Sequence, residues 1–374
     1  MGNYIIPLHK TFWGKEEEKA AVLAIRSGTG VGDQTFSDKL ANLLKEKLDC
    51  KYVLPTASGT AALELACACL LKKGHEVIMP SFTFSSCANA VLLVGAKPIF
   101  VDIDINTYNI DPVEVEKKIT KKTKAIMVVH YAGMAVDMDK ILEIARKFNL
   151  AVIEDAAHAL GAKYKGKALG TIGTIGCFSF HGTKNVASGE GGFFATNEKE
   201  ISQMAEIIRE KGTNRSSFIR GERKKYSWVR VGRSLVLSDI LSAIALEQVK
   251  KLDEITAFRK KKAQYFLKKL TKLSSKIILP TISRGTDPNW HIFAIRSSKV
   301  LQDKIIKGLR TFDIEASFHY LPLHTSQMGK KLGYKIGDLP ITEEVASTLV
   351  RLPVYPSLKR SEMDYIVAAL QKII

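Results

Sequence analysis

A chain of 374 residues suits two domains better than one, and 56 basic against 38 acidic residues leave a formal net charge of +18. That balance permits nucleic acid, a membrane surface or an anionic small substrate as partner, or simply a solvated basic surface, since the lysines are scattered. The five cysteines (Cys50, Cys67, Cys69, Cys87, Cys177) form no CxxC pair, no apolar run would span a bilayer, and the start MGNYIIPLHK lacks a leader's shape; a disulfide framework, a zinc site and a membrane span are argued against, and a soluble protein of the reducing cytoplasm is expected.

From residue 52 onward short apolar strands alternate with amphipathic helices. YVLPTAS reads as a strand and TAALELACACLLKKG as a helix stopped by Gly74. EVIMPSFTF is a strand, SSCANAVLLVG a helix stopped by Gly95, and KPIFVDI and KAIMVVHY are strands. The helix MDKILEIARKFN leads to the strand LAVIED, then to TIGCFSF and GGFFATN, and to the helix EKEISQMAEIIREKG. This alternation predicts an α/β fold with a mostly parallel central sheet and helices on both faces. Past residue 245 the texture changes to a lysine-rich helical stretch, ALEQVKKLDEITAFRKKKAQYFLKKL, and then to shorter elements. A boundary inside that stretch gives an N-terminal arm and large domain over 1–245 and a smaller α+β domain over 246–374.

Chemistry is expected beyond the carboxyl ends of the strands. Ser58, Gly59 and Thr60 follow the first strand and open a helix. Such a terminus suits a phosphate through its free amides, although Ser and Thr are also ordinary caps. Phe84, read as the end of the second strand, either covers a planar ring or packs in the core. Asp155 ends the strand AVIED, where a carboxylate needs a partner: a metal, a helix terminus or a cationic nitrogen. His158 follows in the next turn, as a ring neighbour or a structural histidine.

The stretch FSFHGTKNVASGEGGFF, residues 178–194, sets one long basic side chain, Lys184, among Gly182, Gly189, Gly191 and Gly192. Desolvation there makes a lysine a nucleophile toward carbonyls. An aldehyde cofactor with a phosphate tail uses all these parts together: a lysine, a carboxylate for a ring nitrogen, flanking rings and a helix terminus. Pyridoxal 5'-phosphate (PLP) is that cofactor.

VIEDAAHALGAKYKGKALGTIGTIGCFSFHGTKN followed by GEGGFF resembles the PLP-dependent nucleotide-sugar aminotransferases, the DegT-like family of fold type I, and the likeness runs from VGDQTFSDKLANLLKE to RLPVYPSL. The resemblance implies that Lys184 is the Schiff-base lysine and moves the proton. It implies that Asp155 pairs with the pyridine nitrogen, that Phe84 and His158 lie around the ring, and that Gly59, Thr60 and Ser179 contact the phosphate. A G-x-N motif of the family reaches the neighbouring subunit's phosphate; here it reads Gly232-Arg233-Ser234, so Ser234 stands where asparagine is usual. A homodimer with shared sites is implied.

EIIREKGTNRSSFIRGERKKYSW, IMVVHYAG and FHYLPLH resemble the family branch that yields dTDP-4-amino-4,6-dideoxygalactose from a dTDP-4-keto-6-deoxyhexose, with glutamate as donor. Arginine forks suit a diphosphate, and the basic stretch holds Arg215, Arg220, Arg223, Lys224, Lys225, Arg230 and Arg233. Arg220 is the expected anchor, with Tyr320 and His324 as sugar contacts. A PLP sugar dehydratase would carry histidine in place of Lys184. A non-catalytic basic binding protein would not need Asp155, Ser179 and Lys184 together, and no recognised nucleic-acid module is present.

Overall fold

The computed structural model describes residues 5–28 and 30–374; the first four residues of the start MGNYIIPLHK lie outside them. Helices α1 (Lys15–Arg26) and α2 (Thr35–Leu48) precede β1 (Tyr52–Thr56), α3 (Gly59–Leu70), β2 (Glu76–Pro80), α4 (Ser85–Leu93) and β3 (Lys97–Val101). Next come α5 (Pro112–Lys117), β4 (Thr123–Val129), α6 (Met138–Phe148), β5 (Ala151–Asp155) and the short β6 (Lys163–Tyr164) and β7 (Lys167–Ala168). The strands β8 (Ile175–Ser179) and β9 (Gly192–Thr196) lead to α7 (Lys199–Arg209), α8 (Arg215–Ile219), α9 (Asp239–Lys250) and α10 (Leu252–Leu270). The remainder holds β10 (Thr286–Asp287), β11 (Phe293–Arg296), α11 (Lys299–Thr311), α12 (Gln327–Lys331), α13 (Pro340–Thr348), β12 (Leu349–Leu352) and α14 (Arg360–Ile373).

Seven strands form the central sheet in the order β1-β9-β8-β5-β4-β2-β3. Only β9 runs against its two neighbours; β2, β3, β4, β5 and β8 pair in parallel. The sheet is therefore mostly parallel, and both its faces are buried. Ile126, Val128 and Val152 belong to the core shared with α2, α6 and α9. Ala125, Met127 and Ile153 point into the core under α3 and α4. Alternate residues of one strand so serve two cores, which is why these strands read as continuous apolar runs.

Local chemistry sets the helix ends near the sheet. Ser58 Oγ accepts from the amide of Ala61 at the start of α3. Asp137 does the same for Lys140 at α6, which Asn149 closes in the left-handed conformation.

Two expectations shift. β2 stops at Pro80, and Phe84 is the residue that precedes α4 rather than a strand end. Pro80 has no amide to continue a ladder, and Ser81 turns toward the small domain: its Oγ accepts from the amide of His324 at 2.9 Å and its carbonyl accepts from Leu323. The change of domain also falls later than residue 245. Ala245, Leu246, Val249, Leu252 and Ile255 pack in the large-domain core, whereas Ala263, Phe266 and Leu270 pack with β11, β12, α11 and α14. One continuous helix, α10, so carries the chain between cores. Near the other terminus Ile6 pairs with Ile314 and packs in that second core, so the N-terminal arm is anchored to the small domain.

Candidate active site

The carboxyl ends of β5 and β8 and the amino ends of α3 and α4 open on a cleft of about 540 Å³ roofed by the small domain. Gly59, Thr60, Phe84, Asp155, His158, Ser179, Lys184 and Tyr320 all line it.

Lys184 is placed by the connection between β8 and β9. Phe180 and Gly191 are tied there, as are Gly182 and Gly189, each by an amide-to-carbonyl bond of 2.8 Å. Gly189 (φ +93°) and Gly191 (φ +139°) turn where a side chain would be strained. The N-terminal arm clamps the same loop: Thr11 Oγ1 donates to the Gly182 carbonyl and Trp13 Nε1 to that of Ala187. Among the described residues none hydrogen-bonds or ion-pairs with Lys184 Nζ. Desolvation pushes its amine down to about 8, against a partial upward pull from Asp155, with Arg351 adding to the depression. The neutral, nucleophilic amine is thus far more populated near neutral pH than in a solvated lysine.

Asp155 is buried at the end of β5. Its Oδ1 accepts from the amide of Ala157, and its Oδ2 accepts from the thiol of Cys87 at 2.9 Å. Burial, then the Asp155 carboxylate, holds that thiol well above its usual range, so it stays a donor. Carboxylates have lone pairs to spare beyond these two bonds, so Asp155 can still receive a cationic N–H from the cleft.

The starts of α3 and α4 form a close-fitting cradle against β8. A Cβ on Gly59 would lie 2.8 Å from Ser179 Cβ, so only glycine lets the start of α3 approach β8 this closely. Thr60 Oγ1 and Ser86 Oγ lie 2.8 Å apart across the starts of α3 and α4. Free amides, hydroxyls and helix dipoles converge there on one anion-sized place. Phe84 stands at the rim, 59 % exposed.

Three imidazoles crowd the opposite wall. The rings of His158 and His291 have centroids 4.4 Å apart, and His158 lies near His319 and Tyr320. His158 Nδ1 accepts from the Ala132 amide, and its Nε2 lies 3.3 Å from the Tyr320 hydroxyl. Burial and then the Lys184 charge keep His158 well below its ordinary value; burial and then Arg351 bring His319 down to about 2. These rings are neutral donors and acceptors.

Three expected contacts lie outside this cleft. His324 is fully buried, with Nδ1 on Ser81 Oγ and Nε2 on Glu343, so neither ring nitrogen is left for a sugar. Arg220 is not a free fork: Glu206 takes it at 2.9 and 3.0 Å, and Glu222 takes its Nε. Ser234 is exposed and bridges to Glu210, away from its own chain's cleft. Conversely, the cleft contains His9, His291, Glu315, His319 and Arg351. None was singled out from the sequence, although His319 and Arg351 stand inside the motifs FHYLPLH and RLPVYPSL.

Fold and cleft together define an enzyme of the fold-type-I PLP class. The chain belongs to the DegT/DnrJ/EryC1/StrS aminotransferase family, whose model matches residues 13–371. It is 34 % identical to GDP-perosamine synthase of Caulobacter vibrioides over 328 residues, covering 87 % of this chain and 86 % of that one. It is 31 % identical to UDP-4-amino-4-deoxy-L-arabinose–oxoglutarate aminotransferase of Shewanella sediminis, covering 100 % and 99 %. The Streptococcus pneumoniae protein Spr1654, solved in a PLP form, superposes with a TM-score of 0.91 at 25 % identity over 99 % of this chain and all of that one. The protein is thus a PLP-dependent nucleotide-sugar aminotransferase, and PLP is its cofactor. Among the described residues no helix is long and apolar enough to cross a membrane.

Proposed function

We propose that the protein transfers the amino group of glutamate to C4 of a dTDP-4-keto-6-deoxyhexose, giving dTDP-4-amino-4,6-dideoxygalactose in the cytoplasm. The observation that carries the amino-transfer reading is the unpaired, desolvated Lys184 sharing one cleft with Asp155 and the start of α3. Gly59 and Thr60 amides with the Ser179 hydroxyl would hold the cofactor phosphate. Asp155 would face the ring nitrogen, with Phe84 and His158 about the ring. When bound, PLP supplies an electron sink for the carbon that loses its proton. Lys184, without a hydrogen-bond partner among the described residues and with its amine depressed by burial, tethers the cofactor and moves that proton. Asp155, fixed by Cys87 and Ala157, holds negative charge where a ring N–H must be stabilised.

The Shewanella relative supports a 4-amino sugar and the glutamate/oxoglutarate pair. The dTDP-sugar assignment rests on REKGTNRSSFIRGERKKYSW, with Tyr320 as the sugar contact within the cleft. Ser234, exposed and away from its own cleft, would serve the site of a neighbouring copy in a homodimer, whereas Arg220 would reach a diphosphate only by giving up Glu206 and Glu222. A panel of keto-sugar nucleotides with glutamate, its products read by mass spectrometry and NMR, tests the assignment. Nitrogen at C3, or turnover restricted to UDP- or GDP-sugars, would overturn it.

A further inference from the structure

Among the described residues three carboxylates line the cleft: Asp155, Glu190 and Glu315. Asp155 is occupied by Cys87 and Ala157. Glu190 is exposed and lies 3.9 Å from His181. Glu315 enters from the small domain, directly after Ile314, whose side chain packs in that domain's core.

The N-terminal arm holds Glu315 in place. The Ile6 amide donates to the Asp313 carbonyl at 3.1 Å, and the Glu315 amide donates to the Ile6 carbonyl at 2.9 Å. Two residues further along the arm, the Leu8 amide donates to Glu315 Oε2 at 2.8 Å. That bond fixes the carboxylate, and among the described residues Oε1 has no donor and no cation pairs with it. His9 lines the cleft with Glu315 but is no counter-charge: burial holds its imidazole below its ordinary value against the pull of Glu315. A carboxylate oxygen only accepts, and a partly buried one left unpaired needs a donor.

The reaction class limits which donor can arrive. The amino-acid donor brings carboxylates, which Glu315 repels, and its amine is consumed at the cofactor. The nucleotide-sugar brings a hexose whose keto carbon must reach the cofactor beside Lys184. Its ring hydroxyls therefore occupy the space that Lys184 and Glu315 both line.

We propose that Glu315 is a specificity-determining residue for the nucleotide-sugar: Oε1 accepts from a ring hydroxyl of the hexose while Oε2 stays fastened to Leu8. This rests on the nucleotide-sugar reading and adds to it the group that tells a hydroxylated ring from a deoxygenated one. A site built around such an acceptor rejects the analogue lacking the hydroxyl, because the carboxylate oxygen then loses water with nothing in exchange.

The test uses the cofactor-loaded protein and its Glu315→Gln variant. The glutamine carbonyl can keep the Leu8 bond, while an NH2 group replaces the free oxygen. Calorimetry measures dTDP, dTDP-glucose and the 2-deoxy and 3-deoxy forms of dTDP-glucose, none of which carries a keto group to react. The 2- and 3-hydroxyls are the ones a 4-keto-6-deoxyhexose retains. Loss of one charge-assisted bond should weaken dTDP-glucose about 10- to 100-fold in Glu315→Gln, with dTDP unchanged. One of the two deoxy forms should bind the wild type at least about tenfold more weakly than dTDP-glucose, and the variant should bind that pair alike. The wild-type comparison carries the test if the variant fails to fold. Unchanged dTDP-glucose binding in the variant, or no loss with either deoxy form, overturns the inference. Equal losses for dTDP and dTDP-glucose overturn it too and leave Glu315 as a fastening for the arm. A wild type that prefers UDP- or GDP-hexoses overturns the dTDP assignment alone, and the deoxy comparison then runs on that nucleotide. A wild type to which the hexose adds no affinity over the bare nucleotide overturns this inference.

Discussion

At the scale of residues, the cleft is governed by what has a partner and what does not. Lys184 has none among the described residues, and the Lys184→Ala variant should lose the visible absorbance of bound cofactor and nearly all turnover. The depressed amine also has a stability signature. Between about 8 and 10.5 the unfolded chain still holds the Lys184 proton that the folded apoprotein has released. Stability contributed by this residue therefore rises with pH across that window. Urea unfolding of the apoprotein and of a Lys184→Met variant should show the wild type gaining on the variant from pH 8 to 10; parallel curves would mean an ordinary, solvated lysine. Asp155 is the opposite case, a carboxylate fixed by two donors. Asp155→Asn keeps its shape and removes the charge, and turnover should fall at least about 100-fold. Cys87→Ala should cost roughly 3- to 10-fold and shift the cofactor absorbance, with Cys87→Ser restoring both, because only the donor to Asp155 Oδ2 has been lost.

At the scale of elements, the start of α3 and the β8–β9 connection form one unit. Gly59 allows α3 to close on Ser179, and a Cβ there would meet both Ser179 Cβ and the Phe178 carbonyl within 3.3 Å. Backbone cannot yield as a side-chain tip can, so Gly59→Ala must shift α3 away from β8. The phosphate cradle should open, and cofactor dissociation should weaken the complex by at least about tenfold, in line with roughly 1–3 kcal/mol for overpacking. Absorbance titration of the apoprotein with PLP measures this; affinity within twofold of wild type would show that α3 has slack. The connection's glycines are a separate requirement, since Gly189 and Gly191 hold backbone angles that favour no other residue.

At the scale of the whole molecule, α10 and the N-terminal arm tie the two cores together, and the cleft lies where they meet. Arg351, His319 and Tyr320 come to it from the small domain, while Asp155 and Lys184 come from the sheet. The segment before Ser234 carries Trp228 (74 % exposed) and Val231 (82 % exposed), unusual exposure for two large apolar side chains three residues apart. In the proposed homodimer these are covered, and Ser234 is carried toward the neighbouring site. Sedimentation of the wild type should show a dimer. Trp228→Asp combined with Val231→Asp should shift it to monomer with loss of most turnover. A monomer with full turnover would show that each chain completes its own site.

The alternation of apolar strands and amphipathic helices was sufficient for a mostly parallel sheet with two covered faces, because the period of burial is written in each segment. Asp155 and Lys184 were legible as candidates, one a carboxylate where an apolar run ends and the other a lone lysine among glycines, whereas Ser179 came only from the resemblance. Residue 84 was misplaced, and the boundary was set too early, because both depend on contacts between remote segments: Ser81 with His324 and Leu323, and α10 shared by two cores. Likewise, His324 and Arg351 occupy similar motifs in the same half of the chain. Nothing local shows that Glu343 and Ser81 consume the one, while the other reaches the cleft with its Nε unanswered. Chain chemistry determined which groups were capable of acting; packing decided which were left free to act, since hydrogen-bond partners come from segments hundreds of residues away.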